Sequence, residues 1–311
     1  NYGVVISIED NDLLVAAYYL GLYPVYYLQT DKITIVTSVP SLFHCWPDFR
    51  AEVDASGLVS ILLFAHTCLG HTIFKDVFRL EQGALLWLDR AGRLRSEQVS
   101  LTPESPGPRN LDEAVQAYDS VLSSRMDDLA GHDVTSLLLS GGLDSRILAG
   151  YLGRRSGDEK SAVSLGDARD LETRAAARVA SAIGVRHECV PFDQKEYPAY
   201  AQKAFEFEAI TNGLFSLNEW AFAETPRRPV LAGYYGDLIM GMNHTQWGQE
   251  ATTDLHTFHA ICSKSNSYGF TPGVVRELVR GKDIDDTIFT LLREMNEEYY
   301  GYPGQSWQRS W

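Results

Sequence analysis

The 311-residue chain is short of basic residues relative to acidic ones. Lysine and arginine together number 27, against 41 aspartates and glutamates, so the formal net charge is -14 at pH 7. A chain with this balance lacks the broad basic face that releases counterions from nucleic acid or adheres to an anionic membrane surface. We therefore expect neither a nucleic-acid partner nor a membrane partner, while the composition leaves room for a small basic pocket.

Cysteines and long apolar runs are also scarce. The four cysteines, Cys45, Cys68, Cys189 and Cys262, lie far apart and form no CxxC pair, which supports neither a disulfide framework nor a metal site. Free thiols of this kind are typical of a reducing cytosol. No apolar run approaches the ~18–20 residues that span a bilayer, and the first residues lack the basic segment of a signal peptide. We expect a cytoplasmic protein.

The first hundred residues are rich in short strand signals. An apolar share of 45% and a charged share of 22% are typical of folded domains, and the length suits two of them. One helix is predicted over 55–64, with Asp54 as its N-cap. Short apolar or alternating runs, separated by turn residues, predict strands over 4–6, 13–19, 24–28, 33–37 and 84–88. These elements indicate a β-rich domain with an antiparallel sheet.

A proline-rich segment at 102–108 separates this region from a second pattern. Its three prolines and one glycine fit neither a helix nor a central strand, so it is the best linker in the chain. After it, apolar spacings predict helices that alternate with short buried strands. The helices cover 111–129, 146–152 and 171–183, and the strands cover 134–139, 161–165, 185–190 and 229–232. This alternation is typical of the α/β class, with βαβ crossovers and a doubly wound parallel sheet.

The segment directly after the strand at 134–139 reads Ser140-Gly141-Gly142-Leu143-Asp144-Ser145-Arg146. Adjacent glycines let consecutive backbone N–H groups turn into one concavity, and the helix that follows adds the positive end of its dipole. Ser140 and Ser145 supply hydroxyl donors for phosphate oxygens, whereas Asp144 suits a Mg²⁺ that bridges such oxygens. The pattern differs from the GxxxxGK[ST] phosphate loop, because it has no lysine and its glycines are adjacent.

This SGGLDS segment resembles the PP-loop of the N-type ATP pyrophosphatases, and among them the asparagine synthetase family. The segment Val163-Ser164-Leu165-Gly166, the sequence Gly184-Val185-Arg186-His187 and the segment 232–241 resemble the same family. The resemblance implies a fold like that of the adenine nucleotide alpha hydrolases, with ATP and Mg²⁺ as cofactors and with the second strand against the adenine. The implied contacts to ATP and pyrophosphate are Ser140, Gly141, Gly142, Leu143, Asp144, Ser145, Val163, Ser164, Leu165 and Gly233. Arg146 stands where relatives often carry a serine, and its positive charge beside the loop favours a contact to the α-phosphate, with a solvated helix residue as the alternative.

The N-terminal hundred residues resemble the later half of the family's Ntn-type glutaminase domain, on the segments 21–27 and 72–83. In relatives that domain begins with a cysteine followed by glycine, whereas this chain begins Asn1-Tyr2-Gly3. We therefore expect a partial, degenerate glutaminase domain over 1–102 that serves as a scaffold, and the sequence does not support glutamine hydrolysis. A linker over 103–110 and an asparagine synthetase-like domain over 111–311, incomplete at its C-terminus, are expected to follow.

The resemblance implies that two residues of the 232–241 segment act in catalysis. Asp237 corresponds to the family's metal-binding aspartate and would join Asp144 around Mg²⁺. Tyr234 stands where the family has a glutamate, and Leu238 replaces an acidic residue, an order that resembles the β-lactam synthetase branch. In that branch the tyrosine helps to remove a proton from an internal amine, and Glu277 is a candidate for its carboxylate partner. Packing of Tyr234 over the nucleotide is the alternative.

The implied reaction is adenylation of a carboxylate by ATP, followed by attack of an amine. The chain would then be an AMP- and pyrophosphate-forming amide ligase, similar to the amidotransferases of asparagine biosynthesis, with a small-molecule or peptide carboxylate and an amine donor as partners. A homodimer is compatible with the sequence. Two alternatives stay open. Tyr234 favours an intramolecular cyclising ligase of the β-lactam synthetase or lasso-peptide kind, and Leu238 favours a non-catalytic nucleotide-binding relative.

Two polar clusters carry weaker signals. Asp254, His256 and His259 have a spacing compatible with metal ligands, but no neighbouring signal supports a site, so a loop or surface helix is the better interpretation. The acidic cluster of Asp283, Asp285 and Asp286 suits the start of a helix better than a cation site.

Overall fold

The computed structural model divides the chain into two compact units. The first comprises Asn1–Leu101, Gln202–Phe215 and His244–Trp311, and the second comprises Thr102–Ala201 and Ser216–Asn243. The structure describes residues 4–9, 12–17, 23–99, 107–129, 136–154, 160–191, 193–207, 230–233, 269–279 and 283–300. The domain limits inferred above, at 102 and 111, stay a prediction.

Two antiparallel sheets form the β-rich part of the first unit. The larger has the strand order β1-β2-β6-β7 and the smaller the order β4-β3-β5. Their strands are β1 (Val5–Glu9), β2 (Asp12–Ala16), β3 (Tyr26–Gln29), β4 (Thr34–Thr37), β5 (Val77–Arg79), β6 (Ala84–Leu88) and β7 (Leu94–Gln98). Val15 pairs with Leu86, and both side chains are buried in one apolar cluster. The predicted antiparallel region is confirmed.

Helix α1 (Ala55–Phe64) begins at its predicted residue, because Asp54 caps it: the Asp54 carboxylate accepts a hydrogen bond of 2.6 Å from the Gly57 N–H. Two further helices of this unit, α6 (Pro272–Leu278) and α7 (Ile284–Tyr300), contact α1 and each other. Val59, Val275 and Leu291 share their apolar core. Asp285 and Asp286 lie in the first turn of α7, so the predicted helix start is confirmed.

The second unit contains a parallel sheet with the strand order β10-β9-β8-β11. The strands are β8 (Ser136–Leu138), β9 (Ser161–Leu165), β10 (Arg186–Val190) and β11 (Val230–Leu231). Strands β8, β9 and β10 lie side by side in chain order, whereas β11 pairs with the opposite edge of β8. The predicted α/β class, with a parallel sheet after an antiparallel β-rich region, is confirmed. The change of direction between β8 and β11 is a topological switch point, where ligands bind in sheets of this kind.

Helices connect these strands, as right-handed parallel topologies require. They are α3 (Leu143–Arg154), α4 (Leu171–Ala182) and α5 (Tyr197–Phe207), and α2 (Leu111–Asp128) precedes β8. Helix α3 begins three residues before its predicted start at 146. On α2, Met126 is buried, whereas Leu111 and Val115 are 77% and 57% exposed, so only the later part of the apolar face of this helix is packed. None of the helices within the described ranges combines the length and the apolar character needed to cross a bilayer.

Candidate nucleotide-binding site

The segment 140–146, called the glycine loop below, leaves the parallel sheet at the switch point. It follows β8, and Gly233 follows β11, the neighbouring strand on the other side of the switch. Because the carboxyl ends of parallel strands meet at one edge of a sheet, both segments reach the same edge. This is the position at which a doubly wound sheet presents backbone groups to a ligand.

Gly141 needs to be glycine for two separate reasons. Its φ of +80° lies in the left-handed region, which side chains rarely adopt. In addition, a Cβ atom at this position would lie 2.7 Å from the Cβ of Ala175 and 3.1 Å from the amide nitrogen of Ala176. The loop backbone therefore rests directly on α4, and the small Ala175 side chain allows this approach.

The hydroxyl groups of Ser140 and Ser145 form hydrogen bonds within the loop and stabilise its conformation. The Gly142 N–H donates to Ser140 Oγ at 3.2 Å, and Ser145 Oγ donates to the Gly142 carbonyl at 3.1 Å. The two hydroxyl oxygens lie 3.2 Å apart, within hydrogen-bond distance. Ser140 is exposed and Ser145 is buried. Of the two predicted phosphate donors, Ser140 is the one within reach of a ligand.

Gly233 approaches the first turn of α3 through its backbone. A Cβ atom at this position would lie 3.0 Å from the Ser145 amide nitrogen, 3.1 Å from the Asp144 carbonyl carbon and 3.2 Å from the Asp144 Cβ. The structure thus brings together three predicted site residues, Gly233, Asp144 and Ser145. The positive end of the α3 dipole lies at the same place.

The predicted magnesium ligands are only partly described. Asp144 is partly exposed in the first turn of α3, whereas Asp237 and the predicted catalytic Tyr234 lie outside the described residues. Within the described ranges, no group of three or more His, Cys, Asp or Glu side chains is placed to hold a metal. A single carboxylate beside backbone amides fits a Mg²⁺ that takes its other ligands from phosphate oxygens and water.

Two further side chains of the glycine loop are exposed, Leu143 and Arg146. Leu143 is 69% exposed at the start of α3. The Arg146 guanidinium lies against the loop, since its Nε donates to the Gly142 carbonyl at 3.4 Å. A cation in this place fits the predicted contact to a phosphate group.

The second strand presents its backbone to the site edge and directs its serine away from it. Val163 is buried, and its carbonyl accepts a hydrogen bond of 2.8 Å from the Leu139 N–H. Ser164 Oγ donates to the Leu139 carbonyl at 2.5 Å and lies 2.8 Å from His187 Nε2. Leu165 is partly exposed. Sequence reasoning missed the contribution of His187, whose only signal was its place in the segment that resembles the family.

The turn after β9 is acidic. Gly166 has a φ of +123°, and its N–H donates to the Val190 carbonyl at 2.9 Å. Asp170 lies at the N-cap of α4 and accepts a hydrogen bond of 2.8 Å from the Asp167 N–H. The hydrogen bond from the Arg169 side chain lowers the pKa of Asp167 from 3.8 to about 2. Asp167 therefore stays ionised at the edge of the site at neutral pH.

The remaining predicted residues belong to the first unit or lie outside the described residues. Glu277 is exposed on α6 in the first unit. Cys45 is exposed and Cys68 is buried, with its Sγ 3.9 Å from His66 Nδ1. Asp254, His256, His259 and Cys262 lie outside the described residues, as does the N-terminal Asn1-Tyr2-Gly3.

Comparison with known proteins shows the family. A comparison with curated proteins gave no match. Among solved structures, the glutamine-dependent NAD+ synthetase from Acinetobacter baumannii in complex with ADP is similar at a TM-score of 0.31 and 12% identity, over 97% of this chain and 80% of that chain, a likeness too distant to argue from. The family model for asparagine synthase matches residues 122–284. Because this match spans more than half of the 311 residues, the chain belongs to the asparagine synthase family, which supports an ATP-utilising function of the ligase or amidotransferase type.

Proposed function

We propose that the chain is an ATP-dependent ligase that activates a carboxylate as an acyl-adenylate and then forms an amide, with AMP and pyrophosphate as the other products. One observation carries the proposal: Gly233, the glycine loop and the first turn of α3 meet at the switch point of a parallel sheet. Backbone amides and a helix dipole at one place form a site for a polyphosphate.

The proposed first step moves the substrate onto AMP. A carboxylate oxygen attacks the α-phosphorus of ATP, the bond between the α-phosphorus and its bridging oxygen breaks, and pyrophosphate leaves with the electron pair. The loop amides and the Ser140 hydroxyl offset the charge that builds up on the pyrophosphate. Arg146 lies beside the loop and offsets charge on the α-phosphate.

The proposed second step forms the amide. An amine attacks the acyl carbon, AMP leaves with the oxygen that came from the carboxylate, and the amine gives up a proton to a base. Tyr234, next in sequence after Gly233, is the candidate for this base, alone or with a carboxylate. Its presence where the family has a glutamate favours a second candidate function, in which the amine belongs to the activated molecule and the product is a ring.

The carboxylate oxygens predicted at this edge of the sheet are suitable ligands for Mg²⁺. Asp144, together with Asp237, would hold the ion, and a bound Mg²⁺ neutralises phosphate oxygens. The chain also stabilises the phosphate oxygens without the ion, because the backbone amides and the Ser140 hydroxyl of the loop can donate hydrogen bonds to them.

The test is pyrophosphate release from ATP and Mg²⁺ across a panel of amino acids, carboxylic acids and carboxylate-bearing peptides. Hydroxylamine is added in parallel, because it converts an acyl-adenylate into a hydroxamate. We expect one carboxylate class to give both release and hydroxamate, and Asp144→Asn to lower both by about 100-fold or more.

Asp112→Asn is the matched control, since Asp112 is also a carboxylate in the first turn of a helix, on the exposed side of α2. It should leave the rates unchanged. Release without hydroxamate, or equal rates in Asp144→Asn and Asp112→Asn, would contradict the proposal. Tight ATP binding without release on any carboxylate would favour a non-catalytic relative instead.

A further inference from the structure

Both backbone groups of Leu139 are tied to β9. Its N–H donates to the Val163 carbonyl at 2.8 Å, and its carbonyl accepts from Ser164 Oγ at 2.5 Å. Leu139 is 1% exposed and Ser164 is 2% exposed, so water does not compete for these bonds. Leu139 directly precedes Ser140, the first residue of the glycine loop.

The hydroxyl of Ser164 is in turn held by His187 on β10. Its oxygen lies 2.8 Å from His187 Nε2. A hydroxyl has one hydrogen, and a carbonyl oxygen accepts hydrogen bonds but donates none. Ser164 therefore donates to Leu139 and accepts from His187, which requires a hydrogen on Nε2. Burial lowers the pKa of His187 below its ordinary value of 6.5, so the ring is neutral at pH 7 and carries that one hydrogen on Nε2.

This series of bonds determines the direction of a loop amide. The peptide that joins Leu139 to Ser140 is planar and trans, so its C=O and its N–H point in opposite directions. When Ser164 holds the carbonyl toward β9, the Ser140 N–H is directed the other way. That N–H is the first amide of the glycine loop.

We propose that Ser164 and His187 are positioning residues for nucleotide binding: His187 keeps the Ser164 hydroxyl on the Leu139 carbonyl, and this bond orients the Ser140 amide toward the phosphates. The assignment rests on the proposed function, since it requires ATP at the glycine loop. Neither side chain touches the nucleotide. Their effect is preorganisation: the Ser140 N–H already points toward the phosphate position before ATP binds, so binding incurs no free-energy cost for orienting it.

The experiment measures the dissociation constant for ATP with Mg²⁺ by calorimetry, beside the melting temperature, in four variants. Ser164→Ala removes the donor to Leu139, and we expect it to weaken ATP binding about tenfold, while His187→Phe, which removes the donor to Ser164, weakens it about fivefold. The double variant should bind no more than about twofold worse than Ser164→Ala, because both act through one bond. His187→Gln keeps a side-chain N–H donor and should restore most of the affinity.

Ser136→Ala is the matched control. Ser136 Oγ lies 2.8 Å from Ser161 Oγ and joins the same two strands at the opposite end from the loop. We expect it to lower the melting temperature without changing ATP affinity. If Ser164→Ala and His187→Phe also lower only the melting temperature, their role is merely structural and the proposal is overturned.

The tautomer of His187 provides a second test that needs no variant. Side-chain ¹⁵N NMR of the wild-type protein should show the hydrogen on Nε2 at pH 7, and a hydrogen on Nδ1 alone would overturn the proposal even if the variants fail to fold. A wild-type protein that binds no ATP would overturn the proposed function as well. A wild-type protein that binds ATP, with variants that bind it equally well, would overturn the positioning role only.

Discussion

Gly233 lies so close to Ser145 that a Cβ atom at position 233 would be 3.0 Å from the Ser145 amide nitrogen. Two segments that are far apart in sequence, the end of β11 and the first turn of α3, therefore meet backbone to backbone. Real Cβ atoms rarely come this near to a backbone atom, so either segment has to shift if residue 233 gains a side chain. The close contact makes Gly233 a sensitive probe of the site.

We predict that Gly233→Ala displaces the first turn of α3 and weakens ATP binding about tenfold, because overpacking of this kind costs roughly 1–3 kcal/mol. Calorimetry with ATP and Mg²⁺ measures the effect. Gly150→Ala is the control: Gly150 lies on α3, and a Cβ atom there meets nothing within 4 Å. The control should keep its affinity and gain stability of roughly 0.5–1 kcal/mol from better helix propensity. Unchanged ATP affinity in Gly233→Ala would show that this contact is not part of the nucleotide site.

Gly141→Ala is predicted to damage the loop more severely, since it combines a φ of +80° with a contact of 2.7 Å to the Ala175 Cβ. We expect ATP binding to be lost and the free energy of unfolding to fall by about 2–4 kcal/mol, the sum of strain and overpacking. Gly184→Ala separates the two causes, because Gly184 has a φ of +70° and open space around it. It should cost only about 1 kcal/mol and leave ATP binding intact. Equal losses in denaturant unfolding would mean that the contact with α4 is unimportant.

The ion pair between Asp167 and Arg169 predicts an unusual carboxyl titration. The pKa of Asp167 is lowered from 3.8 to about 2, first by the Arg169 side chain and then by its backbone N–H. The contribution of this group to stability is therefore present above pH 3.8 and is lost as the pH falls toward 2. Carboxyl ¹³C NMR should give a pKa near 2 in the wild-type protein and a value closer to 3.8 in Arg169→Gln. A value of 3.8 in both proteins would exclude the pair in solution.

Burial of His187 predicts a stability change at mildly acidic pH. Its pKa in the folded protein is lowered from 6.5 by desolvation, so the unfolded chain binds a proton before the folded one does. The contribution of this group is complete above pH 6.5 and declines as the pH falls from 6.5 toward the lowered value. Histidine ¹H NMR should show His187 titrating below 6.5, and thermal unfolding of His187→Phe should depend less on pH in that range than the wild type. Titration of His187 above 6.5 would contradict a partly buried ring that is neutral at pH 7.

Local signals predicted much of the fold. Helix α1 begins and ends at its predicted residues because the Asp54 cap and the apolar run act within a few residues of each other. The glycine loop was predictable for the same reason, since its glycine pair and the start of the helix that follows it are local features of the sequence. Strand β9 has its predicted bounds as well.

The pairing of distant residues could not be predicted in this way. The bonds from Ser164 to Leu139 and from Ser164 to His187 join residues that are 25 and 23 positions apart. Their contact depends on the register of β8, β9 and β10, which apolar periodicity does not specify. The exposure of Leu111 also depends on tertiary neighbours, because the spacing of apolar residues on α2 describes a face without saying what covers it. Predicted roles for Asp237 and Tyr234 stay predictions.

The most direct test of acyl-adenylate formation follows the carboxylate oxygen that is transferred to AMP. The carboxylate that gives the greatest pyrophosphate release in the panel is labelled with ¹⁸O in both carboxyl oxygens, and the products of turnover with ATP, Mg²⁺ and an amine are analysed by mass spectrometry. Acyl-adenylate formation predicts one ¹⁸O atom in AMP and none in pyrophosphate. Label in inorganic phosphate, with ADP as the nucleotide product, or amide formation with unlabelled AMP, would contradict it.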